Sequence, residues 1–262
     1  MKKIITLIMS VLMIAACFTG CSTNEGSDSE YVKNKGKLIV GITDFAPMDY
    51  QEEGSEEWIG FDADMAKAFA ESLGVEVEFI VINWGNKEFE LESKSIDCVW
   101  NGMTLTDGVK KAMETSNPYC NNAQVVVVPK DKAAQYSTAD SVKDLKFAAE
   151  GGSAGEKILN ELEYEVTPVE AQSDAVKEVA AGTSEAAVID LLMAGAMIGE
   201  GTSYENLTYT VELTTEEFGV GFRKGSDLAK ALNEFFVKAY KDGSMMKTAE
   251  KYGVQESIIE QK

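Results

Sequence analysis

The fold is decided by two stretches of similar pattern, SKSIDCVWN at residues 93–101 and GTSEAAVID at residues 182–190. In each stretch, a polar turn follows a helical pattern and leads into a short apolar run that ends on a polar residue. Repeated alternation of helix and buried strand is typical of α/β proteins with mostly parallel sheets. Because ligands bind outside the carboxyl ends of such strands, Asn101 and Asp190 are candidate site residues, one from each half of the chain.

The same alternation extends outward from these two stretches in both directions. Helix 62–73 has Asp62 as a plausible N-cap and one apolar face, and Gly74 ends it. Further helices are predicted near 86–94, 154–162, 172–181 and 191–198, from Ser226 to Gly243, and to about 252. Strands are predicted at 38–42, 75–82, 96–100, 124–129, 145–149, 164–168, 186–190 and 218–222. Residues 130–141 are polar and loop-like, which marks a boundary between two series of strands and helices.

Composition and charge exclude several classes of function. The chain has 262 residues, 24 Lys and Arg against 44 Asp and Glu, a net charge of −20, and no His. The excess of acid argues against nucleic acid as a partner, and the lack of His excludes catalysis or metal binding by imidazole. No metal-ligand cluster, cofactor fingerprint or nucleotide loop stands out, so we expect no cofactor.

The amino terminus has the pattern of an export signal. Lys2 and Lys3 precede an apolar run that is too short for a membrane span, so residues 1–20 are predicted to be a signal peptide. The segment ends on small residues and Cys21, which resembles a lipoprotein cleavage site, with Cys17 as the alternative and cleavage without lipid also open. Residues 21–36 would then be a lipidated, flexible tether that anchors the protein to the membrane.

Two further cysteines, Cys98 and Cys120, lie in the folded part of the sequence. Outside the cell they would be able to form one disulfide. They would equally well be accommodated as buried free thiols, and the sequence does not decide between the two states.

Several motifs resemble one known family, the family 3 bacterial extracellular solute-binding proteins, which are the polar-amino-acid receptors of ATP-driven (ABC) importers. The resemblance runs in order through nearly all of residues 36–255. It is carried by GKLIVG at 36–41, APM at 46–48, GFDADMA at 60–66, WNGMTLT at 100–106, NPY at 117–119, GVGFRKG at 219–225 and KDGS at 241–244.

The resemblance implies a type II clamp, in which two α/β lobes, each a mostly parallel sheet flanked by helices, close on a ligand. Lobe 1 would comprise residues 37–123 and 217–262, and lobe 2 would comprise residues 130–211. The two hinge crossings would lie at 124–129 and 212–216. The change in composition after Pro129 places the first crossing independently of the resemblance, but nothing in the composition places the second.

The resemblance also implies ligand-binding roles for residues at the strand ends. Asp190 matches the carboxylate that grips the ligand's α-ammonium group through a charge-assisted hydrogen bond. The alternative is that Asp190 caps the helix that begins at Leu191. Asn101, Gly102 and Thr104 match the segment whose backbone carbonyl and hydroxyl groups hold the ammonium and the carboxylate, and the alternative is an ordinary turn.

A glycine-rich loop is the matching segment of lobe 2. Gly152, Ser153 and Ala154 match the loop whose free N–H groups receive the ligand carboxylate at a helix N-terminus. A phosphate cradle and a plain N-cap by Ser153 are the alternatives. Phe45 and Trp84 align with the positions that cover the ligand side chain, and Asp44 would add negative potential.

One position departs from the family pattern. Three residues after Thr106 the family usually places an Arg that clamps the α-carboxylate with two hydrogen bonds, and this chain has Val109 there. A Lys cannot reproduce the planar fork of Arg. Three explanations are open: Lys110 reaches inward, the amides of residues 152–154 carry the carboxylate alone, or the ligand lacks a free α-carboxylate.

The function that the resemblance implies is capture of a small polar solute, an amino acid above all, and its delivery to an ABC permease and ATPase. We expect a monomer outside the cell and no enzymatic activity. One alternative is a binding protein for an amine without a carboxylate. Another is a dehydratase-like enzyme that would use Glu150 or Asp190 as its acid or base, and a third is a receptor that reports its ligand state to a partner protein.

Overall fold

The structure, a computed structural model, describes residues 26–262, so the predicted signal peptide and both candidate lipidation cysteines, Cys17 and Cys21, lie outside the described residues. The helices are α1 Asp28–Lys35, α2 Phe61–Leu73, α3 Lys87–Glu92, α4 Asp107–Ala112, α5 Ala139–Val142, α6 Ala154–Glu161, α7 Gln172–Ala181, α8 Leu191–Met197, α9 Leu228–Lys241 and α10 Ser244–Tyr252. Short 3-10 helices occupy Trp84–Asn86, Lys130–Gln135 and Gln255–Ser257.

The strands are β1 Lys37–Ile42, β2 Glu76–Val81, β3 Cys98–Thr104, β4 Glu114–Thr115, β5 Cys120–Pro129, β6 Phe147–Glu150, β7 Val166–Val169, β8 Ala186–Asp190 and β9 Leu207–Phe222. They form one mixed sheet in the order β2-β1-β3-β9-β5-β8-β6-β7, with β4 paired to β9. β1 is parallel to β2 and β3, and β6 is parallel to β7 and β8. We call these two parallel groups the first half-sheet (β1–β3) and the second half-sheet (β6–β8).

The two half-sheets are joined by the long antiparallel pair β5 and β9. β9 is also antiparallel to β3, and β5 is antiparallel to β8. Each long strand therefore extends one half-sheet and pairs with the other long strand. Such an arrangement, with parallel sheets at both ends and a shared antiparallel pair between them, is the α/β two-lobed clamp that the sequence predicted.

Aromatic packing forms the core beside the first half-sheet. Trp100 is fully buried, and its ring lies 6.3 Å from Phe69 of α2 and 5.6 Å from Phe236 of α9. A second cluster, with Phe147 of β6 and Leu159 of α6 among its members, fills the space between the second half-sheet and its helices. Each half-sheet is therefore fixed by its own helices, which holds the ends of its strands in place.

Several elements differ from the sequence prediction, and the largest difference lies before β1. Asp28–Lys35 is a helix rather than part of a flexible tether; Ser27 caps its start and Gly36 ends it. Asp28 pairs with Arg223 at 3.1 Å. A polar stretch of this kind looks like a linker because the groups that hold it in place are distant in the sequence.

The start of α2 is a second correction. Gly60 is the N-cap, and Asp62 lies inside the first turn with its side chain buried. The Asp62 carboxylate accepts hydrogen bonds from Gly102 N and from Tyr119 Oη, both at 2.7 Å. Burial raises the pKa of Asp62 to about 7. Asp62 thus connects α2 to the strand end at Gly102, which is a stronger constraint than a helix cap.

Further differences concern several strands and helices. β3 runs on to Thr104 rather than ending at Trp100, and β5 begins at Cys120 rather than at Gln124. Helices α4 and α5 lie where no helix was predicted.

β9 begins at Leu207, eleven residues before the predicted strand 218–222. The sequence prediction missed this first part because its apolar residues alternate with polar side chains that face solvent. α9 begins at Leu228 rather than at Ser226. Cys98 and Cys120 are both buried free thiols, so of the two states left open by the sequence the structure has the reduced one.

Candidate functional site

A cavity of about 70 Å3 lies between the two half-sheets. It is surrounded by the carboxyl ends of β3, β6 and β8 and by the N-terminus of α6, which is where an open α/β sheet presents its ligand site. The lining residues are Trp84, Lys87, Asn101, Gly102, Met103, Thr104, Thr106, Val109, Gln124, Glu150, Gly152, Ser153, Ala154, Lys157, Gln172 and Asp190.

Asp190, the last residue of β8, is held in this cavity by side-chain amides. Gln124 Nε2 donates to Asp190 Oδ1 at 2.9 Å, and the amides of Asn122 and Gln172 donate to Oδ1 and Oδ2, respectively. Gln172 Oε1 also accepts from the Asp190 backbone N–H at 2.8 Å. The Asp190 side chain makes no capping bond to α8, although it directly precedes that helix. Its carboxylate is therefore fixed by the cavity wall and not by the helix.

Glu216 of β9 shares the donors of Asp190. Its Oε1 accepts from Asn122 Nδ2 and Gln124 Nε2, both at 2.7 Å, and from Thr104 Oγ1 at 2.9 Å. The strand register explains the arrangement, because Asn122 lies opposite Glu216 and Gln124 lies opposite Asp190. Burial first, and the nearby Glu216 carboxylate second, raise the pKa of Asp190 well above its ordinary value. Such a pair of acids favours a shared proton or a bound cation.

Glu150, the last residue of β6, is the second acidic group of the lining. It is only 2% exposed, and its Oε1 has no hydrogen-bond partner within residues 26–262. Burial raises the pKa of Glu150 to about 8, while the Thr43 hydroxyl and the Lys87 ammonium partly offset that rise. Glu150 and Asp190 are the last residues of the parallel neighbours β6 and β8, and both line the cavity.

Lys87 faces these acids from the other half-sheet. Its ammonium group donates to Trp84 O at 3.1 Å and to Gly152 O at 3.0 Å, and it lies 4.8 Å from the centroid of the Trp84 ring. The residue is 8% exposed, and burial lowers its pKa. The contact with Gly152 joins the region around Trp84 to the loop after β6, so the two half-sheets meet at this lysine.

The end of β3 presents backbone rather than side-chain groups. The pairing with β9 shifts between Val99 and Met103, so a bulge interrupts the ladder there. Asn101 turns its side chain away, to Thr43 N at 2.9 Å and to Asp49 Oδ2 at 2.8 Å. Gly102 has φ +55°, and a Cβ there would lie 2.4 Å from Phe45 Cε1. The backbone of this segment is therefore set in one conformation beside the cavity.

The loop before α6 differs from its predicted role. Ser153 caps α6 by accepting from Glu156 N at 3.1 Å. Gly152 N donates to the Glu156 carboxylate at 2.7 Å, and Ser153 N donates to Glu150 O at 3.1 Å. Those two N–H groups are thus engaged within the loop, contrary to the expectation that they are free to receive an anion.

The structure places most of the predicted site residues together. Those that line the cavity are Trp84, Asn101, Gly102, Thr104, Gly152, Ser153, Ala154 and Asp190. Phe45 is instead buried at 1% exposure, with its ring 6.1 Å from that of Phe218. Asp44 and Lys110 are exposed and lie outside the lining, whereas Val109 is part of it.

Sequence reasoning missed four charged or polar groups of this site. Glu216 and the amides of Asn122 and Gln124 lie on the two long strands, in stretches that were assigned to the hinge or to no element. Lys87 belongs to a short helix among other charged residues, so nothing in its pattern distinguishes it. Knowledge of how β5 pairs with β8 and β9 would have identified the amides of Asn122 and Gln124 as site residues.

Metal-binding clusters and membrane-spanning helices are both absent from residues 26–262. No group of three or more His, Cys, Asp or Glu side chains there is arranged to hold a metal ion. None of the helices in that range has the length and apolar character needed to cross a bilayer.

A two-lobed clamp with a polar cavity between its lobes defines the class of solute-binding proteins. Residues 38–255 match the model of the bacterial extracellular solute-binding proteins, family 3. The chain belongs to this family, as the motifs of the sequence predicted.

Known relatives cover nearly the whole chain. The arginine-binding extracellular protein ArtP of Bacillus subtilis (strain 168) is 30% identical over 257 residues, which is 92% of this chain and 96% of ArtP. The L-cystine-binding protein TcyJ of Escherichia coli (strain K12) is 29% identical over 250 residues, 94% of this chain and 92% of TcyJ. Among solved structures, the ancestral amino acid-binding protein AncCDT-1, a precursor of cyclohexadienyl dehydratase, has a TM-score of 0.78 and 29% identity, and covers 86% of this chain and 99% of its own.

Proposed function

We propose that this protein is the extracellular substrate-binding component of an ABC importer and that it captures a small polar solute, an amino acid above all, in the cavity between its half-sheets. The observation that carries the proposal is the position of Asp190, whose carboxylate is held at the cavity wall by three side-chain amides. A cation in a partly dry site binds such a preorganised carboxylate more strongly than it would in water. Family membership and the amino-acid-binding relatives support this proposal.

Closure of two lobes would bring the charged walls together around the ligand. In this proposal lobe 1 is 37–123 with 217–262, lobe 2 is 130–211, and the hinges are 124–129 and 212–216. Both hinge ranges lie inside the long strands β5 and β9, which join the half-sheets. Hinge motion of this kind requires only a few backbone angles to change. The protein would act as a monomer that presents its closed form to a permease and its ATPase.

Membrane attachment would keep the protein near that permease. A lipid on Cys21, or on Cys17, would hold it at the outer face of the cytoplasmic membrane when two or more acyl chains are present. Mass spectrometry of the membrane-extracted protein tests this directly: an acylated peptide that begins at Cys21 is expected, and Cys21→Ala should release the protein into the medium. An unmodified amino terminus would contradict the anchor.

A thermal-shift screen tests the proposed binding function. The purified protein is heated with each of the twenty amino acids, with cystine, with polyamines and with methylated amines. A ligand at a hundredfold excess over its Kd stabilises the folded state by about 2.7 kcal/mol, which is readily detected. We expect a shift with at least one amino acid. Shifts with none of the amino acids, or only with amines that lack a carboxylate, would overturn the amino-acid assignment.

An enzyme on the same scaffold is the second candidate, because Glu150 has the raised pKa of a general acid. AncCDT-1, whose name marks it as a precursor of a dehydratase, has the same fold. The measurement that separates the two functions is mass spectrometry of each ligand after long incubation with the protein. A binding protein returns its ligand unchanged, whereas an enzyme of this type releases a dehydrated product in excess over the protein.

A further inference from the structure

The cavity is lined by a buried lysine, Lys87, and a buried glutamic acid, Glu150, which form no ion pair with each other. Lys87 donates to the carbonyl oxygens of Trp84 and Gly152, which carry no net charge. Glu150 has an oxygen with no hydrogen-bond partner within the described residues. A buried charge is costly unless it is paired and hydrogen-bonded, and an incoming ammonium group would favour the ionised form of Glu150. The two groups therefore suit a ligand with charges of both signs.

Several of the other groups that would receive a carboxylate are absent or occupied at this cavity. Val109 stands where the family pattern has an Arg. The N–H of Gly152 is bonded to the carboxylate of Glu156, which also places a negative charge at the start of α6. Lys157 lies at the edge of the cavity, but its ammonium pairs with Glu161 at 2.9 Å. Lys87 is left as the cation best placed to bind an anion.

On the acidic wall, Asp190 has limited capacity for further donors. An ionised carboxylate offers about four acceptor positions. Oδ1 already accepts from Asn122 and Gln124, and Oδ2 accepts from Gln172. One position remains for an ammonium group that has three N–H donors. The neighbouring Glu150 supplies the additional oxygens that such a group needs.

We propose that Lys87 binds the ligand's α-carboxylate and that Glu150, beside Asp190, receives its α-ammonium group. The inference rests on the proposed function and deepens it, because it makes the ligand a zwitterion with a free α-carboxylate. Lys87 would exchange a neutral carbonyl for an ionised oxygen, and charge-assisted hydrogen bonds are roughly twice as strong as neutral ones. The cation of the site therefore comes from α3, at the first half-sheet, rather than from α4, where Val109 lies.

Matched pairs of compounds with and without the carboxylate test this assignment. Isothermal titration gives the Kd of L-arginine and agmatine, of L-histidine and histamine, of L-cystine and cystamine, and of L-glutamine and 4-aminobutanamide. For a pair that binds the wild-type protein, we expect the amino acid to bind about 10- to 100-fold more tightly than its amine, as expected for a hydrogen bond to a charged group. In Lys87→Met the ratio of the amine's Kd to the amino acid's Kd should fall toward one.

Further variants separate the role of Lys87 from a general effect on the fold. Lys87→Arg keeps the charge and should restore part of the ratio of the two Kd values. Glu150→Gln should weaken the binding of the amino acid and of the amine together, so their ratio should stay as in the wild type. Lys111→Met, an exposed lysine of α4, serves as the control and should behave as wild type. Circular dichroism confirms that each variant is folded.

Each alternative outcome overturns a different statement. If Lys87→Met keeps the wild-type ratio, Lys87 does not bind the carboxylate; if Lys110→Met removes it instead, Lys110 does. An amine that binds the wild-type protein as tightly as its amino acid would show that the carboxylate is not recognised. Binding of none of these compounds would overturn the proposed amino-acid function itself, and this inference with it.

Discussion

The two positions that look alike in the sequence, Asn101 inside β3 and Asp190 at the end of β8, are used in different ways. Asp190 directs its carboxylate to the cavity, where amides hold it in place. Asn101 directs its amide away from the cavity, to Thr43 and Asp49, and leaves the backbone at the end of β3 beside the ligand site. A strand end therefore predicts where a site lies, but hydrogen bonds from distant residues decide which atoms the ligand meets.

The largest expected effect is on the Asp190 side of this comparison. Asp190→Ala should weaken amino-acid binding by about a hundredfold or more, since loss of one partner of a buried charge pair costs about 3–5 kcal/mol. The free energy of unfolding should change little, because the variant also removes repulsion from Glu216. Isothermal titration and urea unfolding measure the two quantities.

Asp174→Ala is the matched control for that variant. Asp174 is a surface residue of α7 that pairs with Lys177 at 2.8 Å, and exposed pairs contribute about 0–1 kcal/mol. Ligand affinity of this control should equal that of the wild type. Wild-type affinity in Asp190→Ala would contradict the assignment of the carboxylate to the ligand.

The Asn101 side of the comparison should show the opposite balance. Asn101→Ala leaves the Thr43 backbone and the buried Asp49 without their partners, which should lower the free energy of unfolding by about 2–3 kcal/mol. Urea unfolding checks this value, and Asn121→Ala, at an exposed position of β5, should stay within about 0.5 kcal/mol of wild type. Unchanged stability together with abolished binding would mean that the Asn101 side chain touches the ligand.

The contact between the half-sheets provides a smaller effect. Gly152 has φ +77°, and a Cβ there would lie 2.6 Å from Gly85 Cα of the opposite half-sheet, whereas Gly182, with φ +75°, has nothing within 4 Å. Both Gly→Ala variants should lose about 1–2 kcal/mol of stability through the left-handed backbone. Only Gly152→Ala should also bind the ligand about tenfold more weakly, which corresponds to about 1.4 kcal/mol. The reason is that the new Cβ would clash with Gly85 in the closed form.

Titration compares the two variants of this pair in one experiment. Small-angle scattering with saturating ligand adds a structural readout, since Gly152→Ala should compact less than Gly182→Ala. Equal affinities in the two variants would show that the contact of Gly152 with Gly85 is not required for the bound state.

The last expected effect is a dependence of stability, rather than of ligand affinity, on pH through Glu150. Its pKa is about 8 in the folded protein and 4.5 ordinarily, so the folded state holds a proton that the unfolded state has lost. The contribution of Glu150 to the free energy of unfolding is therefore greatest below pH 4.5 and falls as the pH rises to about 8. Asp62, with a pKa of about 7, acts in the same direction.

Glu150→Gln isolates the contribution of that one carboxyl group. Without added ligand, the variant should melt near the wild-type temperature at pH 5 and at a clearly higher temperature at pH 8.5, where the wild-type protein has lost the stability that the protonated Glu150 provides. A wild-type melting temperature at both pH values would contradict the burial of an ionisable Glu150 in the cavity wall.

The sequence predicted the parts of this structure that depend on local pattern. Apolar periodicity and glycine stops gave α2 and α7, the alternation of helix and strand gave the α/β class, and the resemblance to the family gave the two-lobed clamp. The family motifs gave the strand ends that line the cavity. These features depend on residues that are close together in the chain, so one sequence is enough to find them.

The parts that the sequence did not predict depend on pairing between distant segments. The first part of β9 alternates with polar residues, and only its register with β5 shows that Glu216 and Asn122 face each other. Helix α1 is held by Arg223, which lies far away in the chain. Lys87 and Glu150 meet across the cavity only after both half-sheets have formed, so their charges carry no local signal of their role.

A crystal structure of the protein with an amino acid bound tests the central claim most directly. The ligand is expected in the cavity between the half-sheets, with its ammonium group within hydrogen-bond distance of Asp190 and Glu150 and its carboxylate on Lys87. An amino acid whose ammonium group contacts neither carboxylate, or which lies outside this cavity, would contradict the claim.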